Sequence, residues 1–257
     1  MKVVILAGGF GTRISEESHM RPKPMIEIGD RPILWHIMRY YLAHGFDDFI
    51  ICCGYKGYFI KAYFADYYLH HSDITFDFKY SGDMITHKNV SEPWKVTLVD
   101  TGPNTQTGGR VKRIKDYVGK KTFLLTYGDG VCNVDLSAVV EQHKTTNNIV
   151  TMTAIQPGGR FGVLDIKGNQ VNQFKEKPQD EGGWINGGYM VCEPQIFDYI
   201  ESDKTVLELK PLEQLAKENK LGIYKHHGFW QCMDTQRDKL LLENLWKSGE
   251  ASWKIWE

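Results

Sequence analysis

The sequence predicts a doubly wound α/β fold, a mostly parallel sheet with helices on both faces. Short apolar runs rich in β-branched residues recur along the chain, and segments with apolar residues at helical spacing separate them. The runs are apolar nearly throughout rather than at alternate positions, the pattern of strands buried on both faces. Strands divided by helices need crossovers, and right-handed crossovers make neighbouring strands parallel.

The first run, KVVILA (2–7), ends in glycines and reads as a buried strand entering a loop. RPILWHIMRYYLAHG (31–45) reads as a helix, with Pro32 at its first position and Gly45 as its stop. DDFIICC (47–53) is a strand, GYFIKAYFADYY (57–68) a helix, and KVTLVD (95–100) a strand. GGRVKRIKDYV (108–118) is a basic helix and TFLLTY (122–127) a further strand, which completes a Rossmann-like alternation.

Residues 70–94 are polar and weakly periodic, and they form an excursion that is long for a compact domain, flexible or interfacial. After IVTMTAI (149–155) the segments FGVLDI, NQVNQFKEKP and GGWINGGYMVC suggest a small β-rich subregion on the sheet's edge. The chain closes with a helix at PLEQLAKEN, a strand from Leu221, a turn and an amphipathic helix.

With 257 residues the chain suits one large domain, 1–257. Its 42% hydrophobic and 25% charged residues are ordinary for a globular protein. A net charge of -1 removes the broad positive field of a nonspecific nucleic-acid or membrane binder. Neither a membrane span nor a signal-peptide core is expected. Five cysteines without a CxxC pair or zinc spacing suggest reduced, mostly buried thiols and a cytoplasmic location.

Ligands of doubly wound sheets bind beyond the carboxyl ends of the strands. LAGGFGTRISEESHMRPKPM (6–25) stands at such an end. It fits neither the P-loop nor the dinucleotide fingerprint, because no Gly-Lys-Ser/Thr follows the glycines and Ile14 takes the fingerprint's last position. Yet Gly8, Gly9 and Gly11 allow close backbone approach, and Arg13 offers a bidentate phosphate donor. Pro22 and Pro24 hold the backbone around Lys23 extended.

Asp129, in TYGDG, follows another strand and could hold magnesium with a second carboxylate, although Asp-Gly alone also suits a plain turn. Asp234, before the last helix, is the candidate partner and equally a candidate helix cap. Arg110 stands at a loop-to-helix junction and Lys177 follows Glu176 in FKEKP, both suited to an anion. The pairs His70/His71 and His226/His227 point to opposite sides of an extended chain and suit metal binding poorly. No nucleophile elbow is present.

In this order, LAGGFGTR, RPKPM, YGDG, EKP and MDT resemble the sugar-phosphate nucleotidylyltransferases over nearly the whole chain. The resemblance implies CTP and glucose 1-phosphate as substrates and Mg2+ as cofactor, with a uridylyl- or thymidylyltransferase or a non-catalytic nucleotide-sugar-binding regulator as the alternatives. It further implies that Leu6, Ala7, Gly8, Gly9, Phe10, Gly11 and Thr12 wrap the nucleotide and that Arg13 and Lys23 meet its triphosphate. Asp129 and Asp234 would share the metal and Lys177 the sugar phosphate. Glu176 and Asn186 would hold glucose hydroxyls, and Thr105, Gly109 and Arg110 would lie at the base.

Residues 1–130 then form mainly a nucleotide half and 131–257 mainly a sugar-phosphate half, with the β-rich subregion binding sugar. Assembly into a homo-oligomer is also expected. Thymidylyltransferase relatives carry Gly-Asp-Asn where this chain has Gly128-Asp129-Gly130, so contacts from that third position do not transfer.

Overall fold

The computed structural model describes residues 1–14, 19–79, 83–157, 163–167, 170–175 and 183–257, with backbone only for Arg13 and for residues 163–167 and 170–175. A seven-stranded sheet forms the centre, built from β1 (Lys2–Ala7), β4 (Asp48–Cys53), β7 (Lys95–Asp100), β8 (Phe123–Tyr127), β10 (Val150–Ile155), β13 (Ile185–Cys192) and β14 (Leu221–His226), while the two-residue strands β2 (Glu27–Ile28) and β3 (Arg31–Pro32) pair with each other outside it. Its order is β14-β10-β13-β8-β1-β4-β7. The chain therefore travels from β1 to β4 and β7 on one side, then returns to place β8 on the other side of β1. That reversal opens a crevice at the carboxyl ends of β1 and β8.

Val3, Val4 and Ile5 are fully buried, as a strand covered on both faces requires. Val3 and Ile5 enter one core with the helix Ile33–Ala43 and Leu242 of the helix Gln236–Ser248. Val4 and Leu6 enter the other with Val111, Ile196 and Leu215. The period-2 alternation of side chains thus divides one apolar run between two layers. Pro32 is the cap of the Ile33–Ala43 helix rather than its first turn, and Gly45 ends the helix at φ +82°.

The placement of one strand needs correction, and several elements carried no clear signal in the sequence. GGWINGGYMVC is not part of an edge subregion, because β13 lies inside the main sheet, antiparallel to both β8 and β10. Its apolar run looks alike in either direction, so burial gives no clue to polarity. The subregion is reduced to β11 (Val163–Lys167) paired with β12 (Gln170–Lys175). The polar excursion contains a hairpin, β5 (Ser72–Asp77) against β6 (Asp83–Asn89), whose mostly exposed positions hid its strands from a search for buried alternation. The helix Leu136–Lys144, capped by the Asp135 side chain, also escaped the sequence reading. Among the described residues no helix is long and apolar enough to cross a membrane.

Candidate active site

A cleft of about 350 Å³ opens where β1 and β8 end, lined by Leu6 to Thr12, Lys23, Thr105, Arg110, Asp129 and Asp234. The glycine loop is anchored from below. The Gly8 carbonyl accepts from the Tyr55 amide at 3.1 Å and from Arg110 Nη2 at 2.9 Å. A Cβ on Gly8 would lie 2.2 Å from Arg110 Nη1, so a side chain there would have to expel the guanidinium. Gly11 takes φ +66°, a conformation that costs glycine little.

Lys23 belongs to the single 3-10 turn Lys23–Met25, so the backbone is extended at Pro22 but not, as the flanking prolines led one to expect, at Lys23 itself. The residue is only 9% exposed, and its Nζ donates to Asp129 Oδ2 and to Asp234 Oδ1, each at 2.6 Å. Burial would lower the ammonium's pKa, but the Asp129 charge and the hydrogen bonds to both carboxylates outweigh it, so the pKa is raised. Lys23 is thus a buried, charged ammonium paired with two acids that lie 105 positions apart in the sequence.

A short ladder brings those acids together. β9 (Gly130–Cys132) pairs antiparallel with β15 (Trp230–Cys232), matching Cys232 to Gly130, and the Met233 amide donates to the Asp129 carbonyl at 2.8 Å. Asp234 is not the helix cap. Thr235 caps the Gln236–Ser248 helix in a reciprocal box with Asp238, whose carboxylate also accepts from the Asp234 amide. The Asp234 side chain is left to face Lys23.

One ligand atom each from Asp129, Cys232 and Asp234 lie within 4.8 Å of one another, a group able to hold a metal ion. The two carboxylates are hard oxygen donors suited to magnesium, which fills its remaining positions with water and phosphate oxygens. Cys232 was missed as a neighbour. Its burial, then the Asp129 charge, push the thiol's pKa well up, so it sits there protonated. The i, i+2 spacing to Asp234 on an extended segment was the available signal.

A second pocket of about 230 Å³ continues from the first, lined by Asn186, Gly187, Gly188, Trp230 and Cys232. Tyr127, Asp129 and Asp234 line both. Asn186 Oδ1 accepts from the Gly188 amide at 2.8 Å, and Trp230 Nε1 donates to the Gly187 carbonyl at 2.7 Å. Tyr127 donates to Glu208 at 2.5 Å, and burial, with that acid, raises its phenol pKa.

Two residues expected at the base stand differently. Gly109 does not line the cleft, because it packs where a Cβ would meet Asp203 at 2.5 Å, and its amide donates to the Thr205 carbonyl. Arg110 lines the cleft but directs its guanidinium at the Cys53, Gly102 and Gly8 carbonyls and the Thr101 hydroxyl. It ties the glycine loop to the segment after β7. Glu176, Lys177 and the Arg13 side chain lie outside the described residues. In the histidine pairs His71 stacks on Tyr67 and His226 bonds to the Phe229 carbonyl, while His70 and His227 are exposed.

Residues 2–235 match the family model described as nucleotidyl transferase. The chain is 55% identical over 258 residues to the glucose-1-phosphate cytidylyltransferase of Salmonella typhimurium, and equally so to that of Salmonella typhi, with 100% of each chain covered in both cases. Its fold is shared with UDP-glucose pyrophosphorylase from Acinetobacter baumanii at TM-score 0.67 and 17% identity, covering 94% of this chain and 91% of the other.

Proposed function

Because the chain belongs to the nucleotidyl transferase family, we propose that it transfers the cytidylyl group of CTP to glucose 1-phosphate, giving CDP-glucose and pyrophosphate. The full-length identity to two glucose-1-phosphate cytidylyltransferases supports the choice of base and sugar. The observation that carries the chemistry is the sharing of Asp129 and Asp234 by two adjoining pockets. A nucleotide in the larger pocket and a sugar phosphate in the smaller one would meet at those carboxylates.

In this reading a phosphate oxygen of glucose 1-phosphate attacks the α-phosphorus of CTP. The bond from that phosphorus to the β-phosphate oxygen breaks, and pyrophosphate leaves. No protein nucleophile is needed. Both reactants are anions, so the site must offset their repulsion while holding them in line. Backbone amides from Leu6 to Thr12 would cradle the nucleotide, with Thr105 at its base. Lys23 and Arg13 would neutralise the triphosphate, Lys177 the sugar phosphate, and Glu176 and Asn186 would orient the glucose. Asp129 and Asp234 would hold Mg2+, which supplies Lewis-acid neutralisation of phosphate charge when bound. Arg110 would act through Gly8, keeping the cradle in shape.

We read the chain as one catalytic unit, residues 1–130 serving mainly the nucleotide and 131–257 mainly the sugar phosphate. Phe76, Phe78, Met84 and Ile85 are exposed on the β5–β6 hairpin, which supports its burial in a homo-oligomer. Sedimentation of the intact chain against one carrying charged residues at Phe76 and Phe78 tests that assembly. For the reaction, the protein is incubated with glucose 1-phosphate, Mg2+ and CTP, UTP or dTTP in turn, and pyrophosphate is measured. CTP is expected to be the best donor, and no release with CTP would sink the reading.

A further inference from the structure

The Lys23 ammonium and a divalent cation compete for the same two carboxylates. Nζ stands 2.6 Å from an oxygen of Asp129 and 2.6 Å from an oxygen of Asp234. A metal bridging those acids would lie about 2.0–2.1 Å from their oxygens. A metal drawing on the same two oxygens as Nζ would have to share the space that the ammonium fills.

The charge count points the same way. Two carboxylates carry two negative charges, which either the ammonium offsets in part or a divalent ion offsets fully. Both together would leave a net positive cluster in a slot where the Lys23 side chain is 11% exposed and the acids 27% and 18%. Like charges at that separation are strongly unfavourable away from water.

Lys23 also has somewhere else to go. It lines the same cleft as the glycine loop, and its four-carbon stem can turn while Pro22 and Pro24 keep the backbone fixed. A triphosphate in that cleft would supply the negative charge that the acids give up.

We infer that in the free protein Lys23 occupies the cation position between Asp129 and Asp234, and that a divalent metal enters when the triphosphate draws the ammonium away. Lys23 is then the coupling element between the nucleotide and metal sites, besides being a phosphate contact. The inference rests on the reading of Asp129 and Asp234 as metal ligands. It makes metal affinity low in the empty protein and high in the nucleotide complex, through a side chain that belongs to both sites.

The test is Mn2+ binding without nucleotide, followed by electron paramagnetic resonance of the free ion and by the Mn2+-dependent rise in melting temperature. Lys23→Met is expected to bind Mn2+ at least about tenfold more tightly than the wild type, within the usual range of site coupling. Lys23→Gln, which can still donate to the acids, keeps the comparison usable if the methionine variant folds poorly. It should also bind Mn2+ more tightly than wild type, because it removes the competing charge.

Equal Mn2+ affinity in the wild type and both variants would overturn the inference, as would a melting rise with Mn2+ alone that is as large in the wild type as in Lys23→Met. The double variants Lys23→Met/Asp129→Asn and Lys23→Met/Asp234→Asn separate the two ideas. Loss of the tightened site in both supports the exchange at these acids. A tightened site that survives both would instead remove the acids from metal binding and overturn the premise.

Discussion

Lys23 and His36 are two buried bases that meet opposite fates. Burial lowers the pKa of each. Around Lys23 stand two carboxylates at 2.6 Å, and the group keeps its charge with a raised pKa. Around His36 stand Trp246, Trp253 and Trp256, and its pKa falls to about 4. His36 Nε2–H donates to the Ile28 carbonyl at 2.8 Å while its Nδ1 accepts from Trp253 Nε1 at 3.4 Å, a tautomer assigned from these partners. Losing water costs both, and the partner decides whether charge survives. One region is built to handle charge, the other to close a core.

Removing a partner from the charged region should have the largest effect. Asp129→Asn leaves Lys23 with Asp234 alone and takes a hard ligand from the proposed metal. Turnover is expected to fall by about 10²–10³-fold, the scale of losing one group that stabilises transition-state charge. Because Asp129 is partly exposed, folding should change little. Mg2+-dependent pyrophosphate release and a melting curve check both halves. Unchanged turnover would place the chemistry elsewhere, and a collapse of folding alone would make Lys23 a structural cation like any buried ion pair.

The apolar region predicts an acid dependence of stability. His36 has a folded pKa of about 4 against the ordinary 6.5. As pH falls from about 6.5 to 4, the unfolded chain binds a proton that the folded chain refuses. Stability contributed by neutral His36 is therefore present above that window and lost within it, by about 3 kcal/mol in all. Protonation would set an Nδ1–H against the Trp253 N–H and place a charge among indoles. Lys23 adds nothing there, since a raised amine pKa matters only at alkaline pH. Urea unfolding at pH 7 and pH 5 measures the slope, and His36→Gln should flatten it. A variant curve as steep as the wild type would assign the acid sensitivity to other groups.

The contrast also explains what could be read from the residues alone. The glycine loop and Asp129 were legible because each follows an apolar run whose burial dictates a strand, and strand ends of a doubly wound sheet are where ligands bind. Lys23 was legible as a phosphate-type cation but not as the bridge between Asp129 and Asp234, because that needs the β9–β15 pairing, a contact between segments about a hundred positions apart. Arg110 announced a charge at a loop, and no local pattern could tell that its donors serve backbone carbonyls. The antiparallel direction of β13 was hidden for the same reason, since hydrophobic periodicity carries burial and not polarity. His36 read as one more member of an apolar helix, and its cage comes from tryptophans more than two hundred positions later.

The smallest expected effect lies where the charged region is joined to its scaffold. Thr235 caps the last helix by accepting from the Asp238 amide, and the Asp238 carboxylate accepts in turn from the amides of Thr235 and Asp234. Thr235→Ala removes the cap hydroxyl and should cost about 1 kcal/mol of stability, with Thr235→Ser recovering most of it. The Asp238 carboxylate would still hold the Asp234 amide, so pyrophosphate release should fall far less than in Asp129→Asn. If Thr235→Ala instead lost activity as severely while remaining folded, the position of Asp234 would depend on the cap. The acid that faces Lys23 would then be held by the helix terminus rather than by the β9–β15 ladder.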